Sequence, residues 1–363
     1  MITRRETLKR LGCALGAATV GHALDASGAA AKPTLHVYPE YGWLRGFGIV
    51  PSWGANIVEA WELYDGARFR EEVALARQVH ANCIRLWIEF AAWKTDRDKM
   101  TERFLDAVAG IAEQGMKVMP CLFNHWHDRK LDYGGTSAAG DWAPHLEYVK
   151  TIVTPLANDD RVMIWDLCNE PGSRDANTPE VKWLTEIAAT VRGCGARQPI
   201  TIGTMSGVNI MTFAPLVDVL NGHPYGHHRN NLEALITSFT AMSKETGKPF
   251  LVNETIPGAL DDLVRAEVAR FYTEMLSAAG FGWMGWVIRE GKAIATTREL
   301  HDGNGIEGGG YHPFFTKEGK LRDGLEFMTA APKRRAPWEK GGEVISKQWG
   351  NNQNAAARCG VLI

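Results

Sequence analysis

The sequence predicts an α/β protein folded as a single (β/α)8 TIM barrel. Three observations lead there. Eight short apolar runs alternate with amphipathic segments whose apolar residues recur at three and four. The runs are continuously apolar instead of alternating, as parallel strands covered on both faces must be. No glycine-rich phosphate loop follows the first run, so a doubly wound open sheet lacks its usual support.

The elements follow in order. The strand candidates are GFGIVPSW (46–53), CIRLWIEF (83–90), KVMPCLFNHW (117–126) and RVMIWDLCNE (161–170). PITIGTM (199–205), VDVLNGHPY (217–225), PFLVNET (249–255) and FGWMGWVI (281–288) complete the eight. Between them lie helical patterns such as ARFREEVALARQVHAN, TERFLDAVAGIAEQG and PEVKWLTEIAATVRGCG. NLEALITSFTAMSKETG and DDLVRAEVARFYTEMLSAAG read the same way, and a Gly or Asn often closes the helix. The barrel is assigned to residues 32–330. The basic, then polar stretch 331–363 is expected to pack on the barrel or stay partly loose.

The first 31 residues stand apart. Arg4-Arg5 precede a weakly apolar, Gly/Ala-rich run from Leu11 to Leu24, and SGAAAKP offers small residues for a cut after Ala31. The segment resembles a twin-arginine export leader, which implies a periplasmic or extracellular protein. No other stretch is apolar for about 20 residues, so no membrane-spanning helix is expected.

Composition narrows the function. Of 363 residues 45% are hydrophobic, and 40 Lys+Arg against 42 Asp+Glu give a net charge of −2. That balance points neither to nucleic acid nor to an acidic membrane surface. Without the leader five cysteines remain, Cys83, Cys121, Cys168, Cys194 and Cys359, with irregular spacing and no CxxC. Three of them sit within strand-like apolar runs and so read as small buried hydrophobes, with neither a zinc site nor a disulfide framework expected. The 13 tryptophans are many, and indole faces stack on sugars as readily as they fill cores.

Catalytic groups of such barrels gather where strands end. The fourth candidate ends in Asn169-Glu170 and the seventh in Asn253-Glu254, which sets two carboxylates on opposite walls of one face. Arg85 and Glu89 lie on the second. His125 and Trp126 end the third, His223 and Tyr225 the sixth, and Trp286 the eighth. Buried carboxylates are costly unless paired and hydrogen-bonded, so two facing one another amid Arg, His and Tyr are poorly explained by packing. Such a pair is the equipment of glycoside hydrolysis. The acid needs a raised pKa and the nucleophile a lowered one, and a nearby Arg would keep one Glu ionised. Trp53, Trp93, Trp126, Trp142 and Trp286 fall at or after strand ends, where a sugar groove needs flat apolar platforms.

With Asn-Glu-Pro closing strand four and Glu closing strand seven, the chain resembles the clan A glycoside hydrolases. Among them it is most similar to family 5, the cellulase-like retaining β-glycanases, from RGFGIVPSWG to YHPFFTKEGKLRDGLEFM. The resemblance implies Glu170 as acid/base, Glu254 as nucleophile and Arg85 as its support. It implies Asn169 on the sugar 2-hydroxyl, His125 at the glycone subsite, and Trp286 as the platform at the cleavage point. His223 and Tyr225 match the family's His-x-Tyr, whose Tyr touches the nucleophile. VNETIPG departs from the more common Glu-Phe-Gly, and Glu89 and Glu290 are extra carboxylates near the site.

The expected reaction is double displacement with retention, without metal or cofactor, on a β-linked polysaccharide or oligosaccharide. The expected activity is that of an endo-β-1,4-glycanase on glucan, mannan or xylan, the alternative an exo-acting β-glycosidase. Two rival classes compete. The histidines of NHWHD and GHPYGHH suggest a metal-dependent barrel hydrolase, but the first strand ends in PSWG without a His-x-His. A non-catalytic carbohydrate-binding barrel would not need both Glu170 and Glu254.

Overall fold

The computed structural model describes residues 36–124, 141–205, 209–301 and 310–339. The leader, His125, Trp126 and the tail beyond residue 339 lie outside the described residues. Those described fall in one compact unit that begins at Pro33.

Eight strands form one sheet: β1 Arg45–Ile49, β2 Cys83–Trp87, β3 Lys117–Cys121, β4 Trp165–Asn169, β5 Ile200–Met205, β6 Leu220–His223, β7 Phe250–Leu251 and β8 Trp283–Gly285. The sheet order is β7-β6-β5-β4-β3-β2-β1-β8, with parallel pairing throughout. An isolated parallel bridge, Thr255 to Gly285, brings β7 to β8 and nearly closes the ring. The architecture is the expected (β/α)8 barrel. Each strand is shorter than its apolar run, because the ladder ends where neighbouring chains splay into loops. Glu89 therefore lies past β2, and Trp286 past β8.

The helices are α1 Ile57–Glu62, α2 Gly66–Arg77, α3 Phe90–Thr95, α4 Arg97–Glu113, α5 Ala143–Val153, α6 Pro179–Gly193, α7 Ile210–Phe213, α8 Arg229–Thr246 and α9 Asp262–Ala278. Local chemistry sets their ends. The Asp65 carboxylate accepts from the Ala67 and Arg68 amides, and Asp261 does the same for Leu263 and Val264. Thr178 caps α6 with Pro179 at its first position, and Gly247 ends α8 in the left-handed conformation. Fully buried Phe69, Phe104, Trp183, Leu184 and Tyr272 fill the space between helices and strands. Each large side chain there contributes about 1.5–3 kcal/mol.

The two ends of the barrel differ. Tyr41, Trp43, Leu44, Cys83, Met119, Met163, Leu251 and Met284 cluster at the N-terminal end of the strands. Residues 331–339 add to this floor: Ala336 is fully buried in it, Trp338 meets Trp43 edge-on at 5.0 Å, and Glu339 pairs with Arg45 at 3.0 Å. Cys83, Cys121 and Cys168 are buried free thiols, and Cys194 is a half-buried one. Among the described residues no helix is long and apolar enough to cross a membrane.

Candidate active site

At the C-terminal end polar groups replace the apolar ones. Arg85, at the middle of β2 and fully buried, points across the barrel. Its Nε and Nη2 donate to Asp166 Oδ2 at 2.9 and 2.8 Å, and Nη1 donates to Glu254 Oε2 at 2.6 Å. Nη2 also donates to Asn169 Oδ1 at 2.8 Å, which turns the Asn169 amide nitrogen toward Asn124 Oδ1 at 3.1 Å. Tyr225 donates its hydroxyl to Glu254 Oε1 at 3.0 Å.

The opposite wall is organised by His223 at the end of β6. Its Nδ1 lies 2.7 Å from Glu170 Oε1, and its Nε2 lies 2.8 Å from Asn253 Oδ1. One atom each of Glu170, His223 and Glu254 falls within 4.8 Å of the others. Carboxylates this close match the roughly 5–5.5 Å spacing of retention, not the roughly 6.5–9.5 Å that seats a water for inversion. The backbone commits to the arrangement as well. Glu170 has φ 49, a left-handed conformation that costs a non-glycine residue about 1–3 kcal/mol.

Two glycines keep the space open. A Cβ on Gly48 would lie 2.4 Å from the Trp286 ring, and one on Gly203 would lie 2.4 Å from His223 Nε2. Behind Glu254, the buried guanidinium of Arg265 donates to the Ile256 carbonyl at 2.9 Å and to the carbonyls of Pro257, Trp286 and His312. It ties the segment after β7 to the segment after β8. Burial pushes this guanidinium well below its ordinary range, reinforced by Arg322 nearby.

Electrostatics differs from expectation at one point. Burial pushes the Glu254 carboxyl up, while His223, Arg85 and the Tyr225 hydroxyl pull it down and Glu170 pushes it up. The balance lies above the ordinary carboxylate range, not below it as expected of a nucleophile, because burial outweighs the cationic neighbours and the Glu170 charge adds to it. For His223 burial pulls the ring down, but Glu254 and Glu170 outweigh it and the pKa is raised. Burial first, then the Glu254 charge, lift Tyr225 far above its usual range.

The structure thus brings together Arg85, Asn169, Glu170, His223, Tyr225 and Glu254. Trp286 joins through Trp87, with ring centroids 4.7 Å apart, and the Arg85 guanidinium lies 5.1 Å from the Trp87 ring. The other expected platforms fare differently. Trp53 is 3% exposed; its indole donates to the Ala60 carbonyl and its ring packs under Arg68. Trp93 is buried against Phe90 and Tyr148. Both complete the packing of helices that start soon after their strands, so they are not sugar platforms. Trp142 is half-buried at the start of α5. Glu290 accepts from Tyr311 at 2.8 Å and faces Lys317, beside a cleft of about 530 Å3 that also involves Ser52 and Lys292. Glu89 is buried beyond β2; with burial as the larger cause, its charge helps raise Tyr148.

Sequence reasoning passed over Trp87 and Asp166, and named Asn253 at the end of its strand without a role. Trp87 lies two residues beyond Arg85 and therefore on the same strand face. Asp166 is a charge inside an apolar run, where packing alone would not place one.

Glu170, His223 and Glu254 are also the described residues that could offer a metal three ligands. A cation there would compete with the Arg85 guanidinium on Glu254 and would have to break the His223–Glu170 contact. His227 and His228, counted toward a metal site from the sequence, are exposed. The donor set fits proton transfer and covalent catalysis better than metal binding.

Solved structures with the same fold include an exo-β-1,4-mannosidase from Opitutaceae bacterium strain TAV5, 17% identical, with TM-score 0.62 over 79% of this chain. The chain spans 58% of that enzyme's length. A GH5_18 protein from Bifidobacterium longum subsp. longum is 13% identical, with TM-score 0.63 over 79% of this chain and 78% of its own. An endo-1,4-β-D-mannanase from Thermotoga petrophila RKU-1 is 15% identical, with TM-score 0.57 over 79% of this chain and 98% of its own. No curated protein matches the sequence. The family profile described as cellulase (glycosyl hydrolase family 5) matches residues 70–292, more than half of the chain. The protein therefore belongs to glycosyl hydrolase family 5 and is a retaining O-glycosyl hydrolase.

Proposed function

We propose that the protein cleaves β-1,4-linked glycans by double displacement, with Glu254 as nucleophile and Glu170 as acid/base. The observation that carries this reading is the close pair itself, one member held by Arg85 and Tyr225 and the other by His223. Glu254 attacks the anomeric carbon while Glu170 protonates the leaving oxygen. Glu170 then takes a proton from water, which releases the sugar with its β-configuration retained. Asn169 spends its oxygen on Arg85 and one amide hydrogen on Asn124, which leaves a second hydrogen for a sugar hydroxyl. Trp286, with Trp87 beside it, supplies the apolar platform.

Mannose-configured glycans head the list of substrates, because a mannosidase, a mannanase and complexes with Manβ1-4GlcNAc recur among the structural relatives. Glucan and xylan follow. The leader reading makes the enzyme an exported one, which fractionation of a host expressing the full chain tests.

The deciding experiment is product analysis on mannan, mannobiose, cellulose derivatives, mixed-linkage glucan and xylan. Proton NMR of the first-formed anomer accompanies it. Polymer shortening with β-anomer first supports the endo-glycanase. Release of single sugars from chain ends favours the exo-acting alternative. α-Anomer first would sink the assignment of Glu254 as nucleophile.

A further inference from the structure

Asp166 is fully buried and is approached by four N–H groups. Arg85 gives it two, at 2.9 and 2.8 Å, the Asn253 amide one at 2.8 Å, and the Gly203 backbone one at 3.2 Å. Those contacts lead to both carboxylates of the site. Through Arg85 the chain of bonds reaches Glu254 at 2.6 Å. Through Asn253 and His223 it reaches Glu170 in steps of 2.8 and 2.7 Å.

The second branch fixes a tautomer. Asp166 Oδ2 already accepts from Arg85, so it takes a hydrogen from Asn253 Nδ2, and the amide oxygen is left facing His223 Nε2. An amide oxygen only accepts, so Nε2 carries a hydrogen. Nδ1 then meets Glu170 with either a lone pair or, in the imidazolium, a second N–H. With one proton on the Glu170–His223 pair the contact at 2.7 Å is a good hydrogen bond, whichever partner holds it. Without that proton a lone pair faces a carboxylate. The missing Cβ of Gly203, which would lie 2.4 Å from Nε2, is what lets the ring reach Asn253.

We propose that Asp166 and Asn253 are positioning residues that couple the two halves of the reaction: Asp166 holds Arg85 onto Glu254 and, through Asn253, holds His223 in the ring form that keeps a proton beside Glu170. The proposal rests on the assignment of Glu254 and Glu170 given above. The charged and titratable groups that face His223 are Glu170 and, through Asn253, Asp166 from β4; Glu254, at 3.9 Å, after β7; Arg85 from β2; and Tyr225 two residues on. β5 carries no titratable side chain and meets the ring at Gly203.

Imidazole 15N NMR of the full chain is the first test, with His223→Gln to identify the signal. The neutral His223 ring of the wild type should carry its hydrogen on Nε2. A neutral ring protonated on Nδ1 would overturn the proposal without any variant having to fold. In Asn253→Leu the Nδ1–H form becomes available and bonds the ionised Glu170 carboxylate. The pair then releases its proton more easily, and the alkaline limb of kcat/KM should move down by about one pH unit.

Leaving groups separate the two branches. Phenyl β-glycosides need protonation, whereas 2,4-dinitrophenyl β-glycosides do not. Above the shifted limb, Asn253→Leu should cut kcat/KM by up to about 10-fold for the former and change it little for the latter. Asp166→Asn should lower both. Equal losses on the two substrates in Asn253→Leu, with an unmoved alkaline limb, would reduce Asn253 to a packing role. Glu170→Ala and Glu254→Ala serve as controls. If they keep wild-type activity, the catalytic assignment fails, while the NMR result still decides the tautomer.

Discussion

At the lower end of the barrel Tyr41, Trp43, Met119, Met163 and Met284 form an apolar plug, and all are 5% exposed or less. At the upper end Arg85, Asp166, His223 and Asn253 are equally buried. Burial alone therefore does not separate structure from function here. The floor is held by area and shape, so its cost of failure is a cavity. The top is held by a buried guanidinium shared between carboxylates, so its cost of failure is an unpaired charge. Both ends should matter about equally to stability, and only one to chemistry.

The largest effect expected is at the top. Glu254→Gln should lower hydrolysis by about 10⁴-fold or more while the melting temperature stays near wild type. Activity within tenfold of wild type, measured as reducing-sugar release, would break the division at once. Next comes the direct contrast of the two ends. Trp43→Ala and Arg85→Met should each lose about 3–5 kcal/mol in urea unfolding. Only Arg85→Met should also depress kcat/KM; a Trp43→Ala enzyme with impaired turnover would show that the floor reaches the site.

A smaller effect sharpens the description of the top. Burial holds the Glu254 carboxyl above its ordinary range, and the Tyr225 hydroxyl works against that by bonding the ionised form. Tyr225→Phe removes this support, so the acid limb of the pH profile should move upward by about one unit. A downward shift would mean that the hydroxyl favours the protonated acid.

The smallest effect lies in the helix layer, away from both ends. His145 on α5 sits edge-on to Phe90 and Phe123, and burial lowers its pKa from 6.5 to about 4. Unfolding restores the higher value, so the unfolded chain binds the extra proton. Stability should therefore fall as pH drops from 6.5 to about 4, and this contribution should be flat below that. His145→Phe should flatten the slope in that window; an unchanged slope would place its origin elsewhere.

The barrel was legible because period and spacing are local properties. Seven of the eight strands lie within their apolar runs and β1 starts one residue before its own, and the long helices start and stop near their Asp, Thr and Gly signals. The carboxylate pair could be read as well, since strand ends converge in any such barrel. What could not be read was direction and reach. Trp53 and Trp93 occupy strand-end positions like that of Trp286, yet they turn into the helix layer, because the rotation of the chain after a strand depends on the helix that follows. The roles of Asp166 and Asn253 stayed hidden because their partners come from other strands, β2 and β6, and only closure of the ring brings those together.

The ring is not uniform. β7 holds two residues, and a single bridge from Thr255 to Gly285 brings it to β8. In terms of native-state fluctuations this seam is the thinnest part of the hydrogen-bond lattice, and so the place where local opening costs least. Glu254 precedes that bridge by one residue and Trp286 follows it by one. An opening that leaves most of the fold intact would therefore part Glu254, the proposed nucleophile, from Trp286, the proposed sugar platform. On slow heating, loss of activity should run ahead of loss of helix, because the barrel opens first between Glu254 and Trp286.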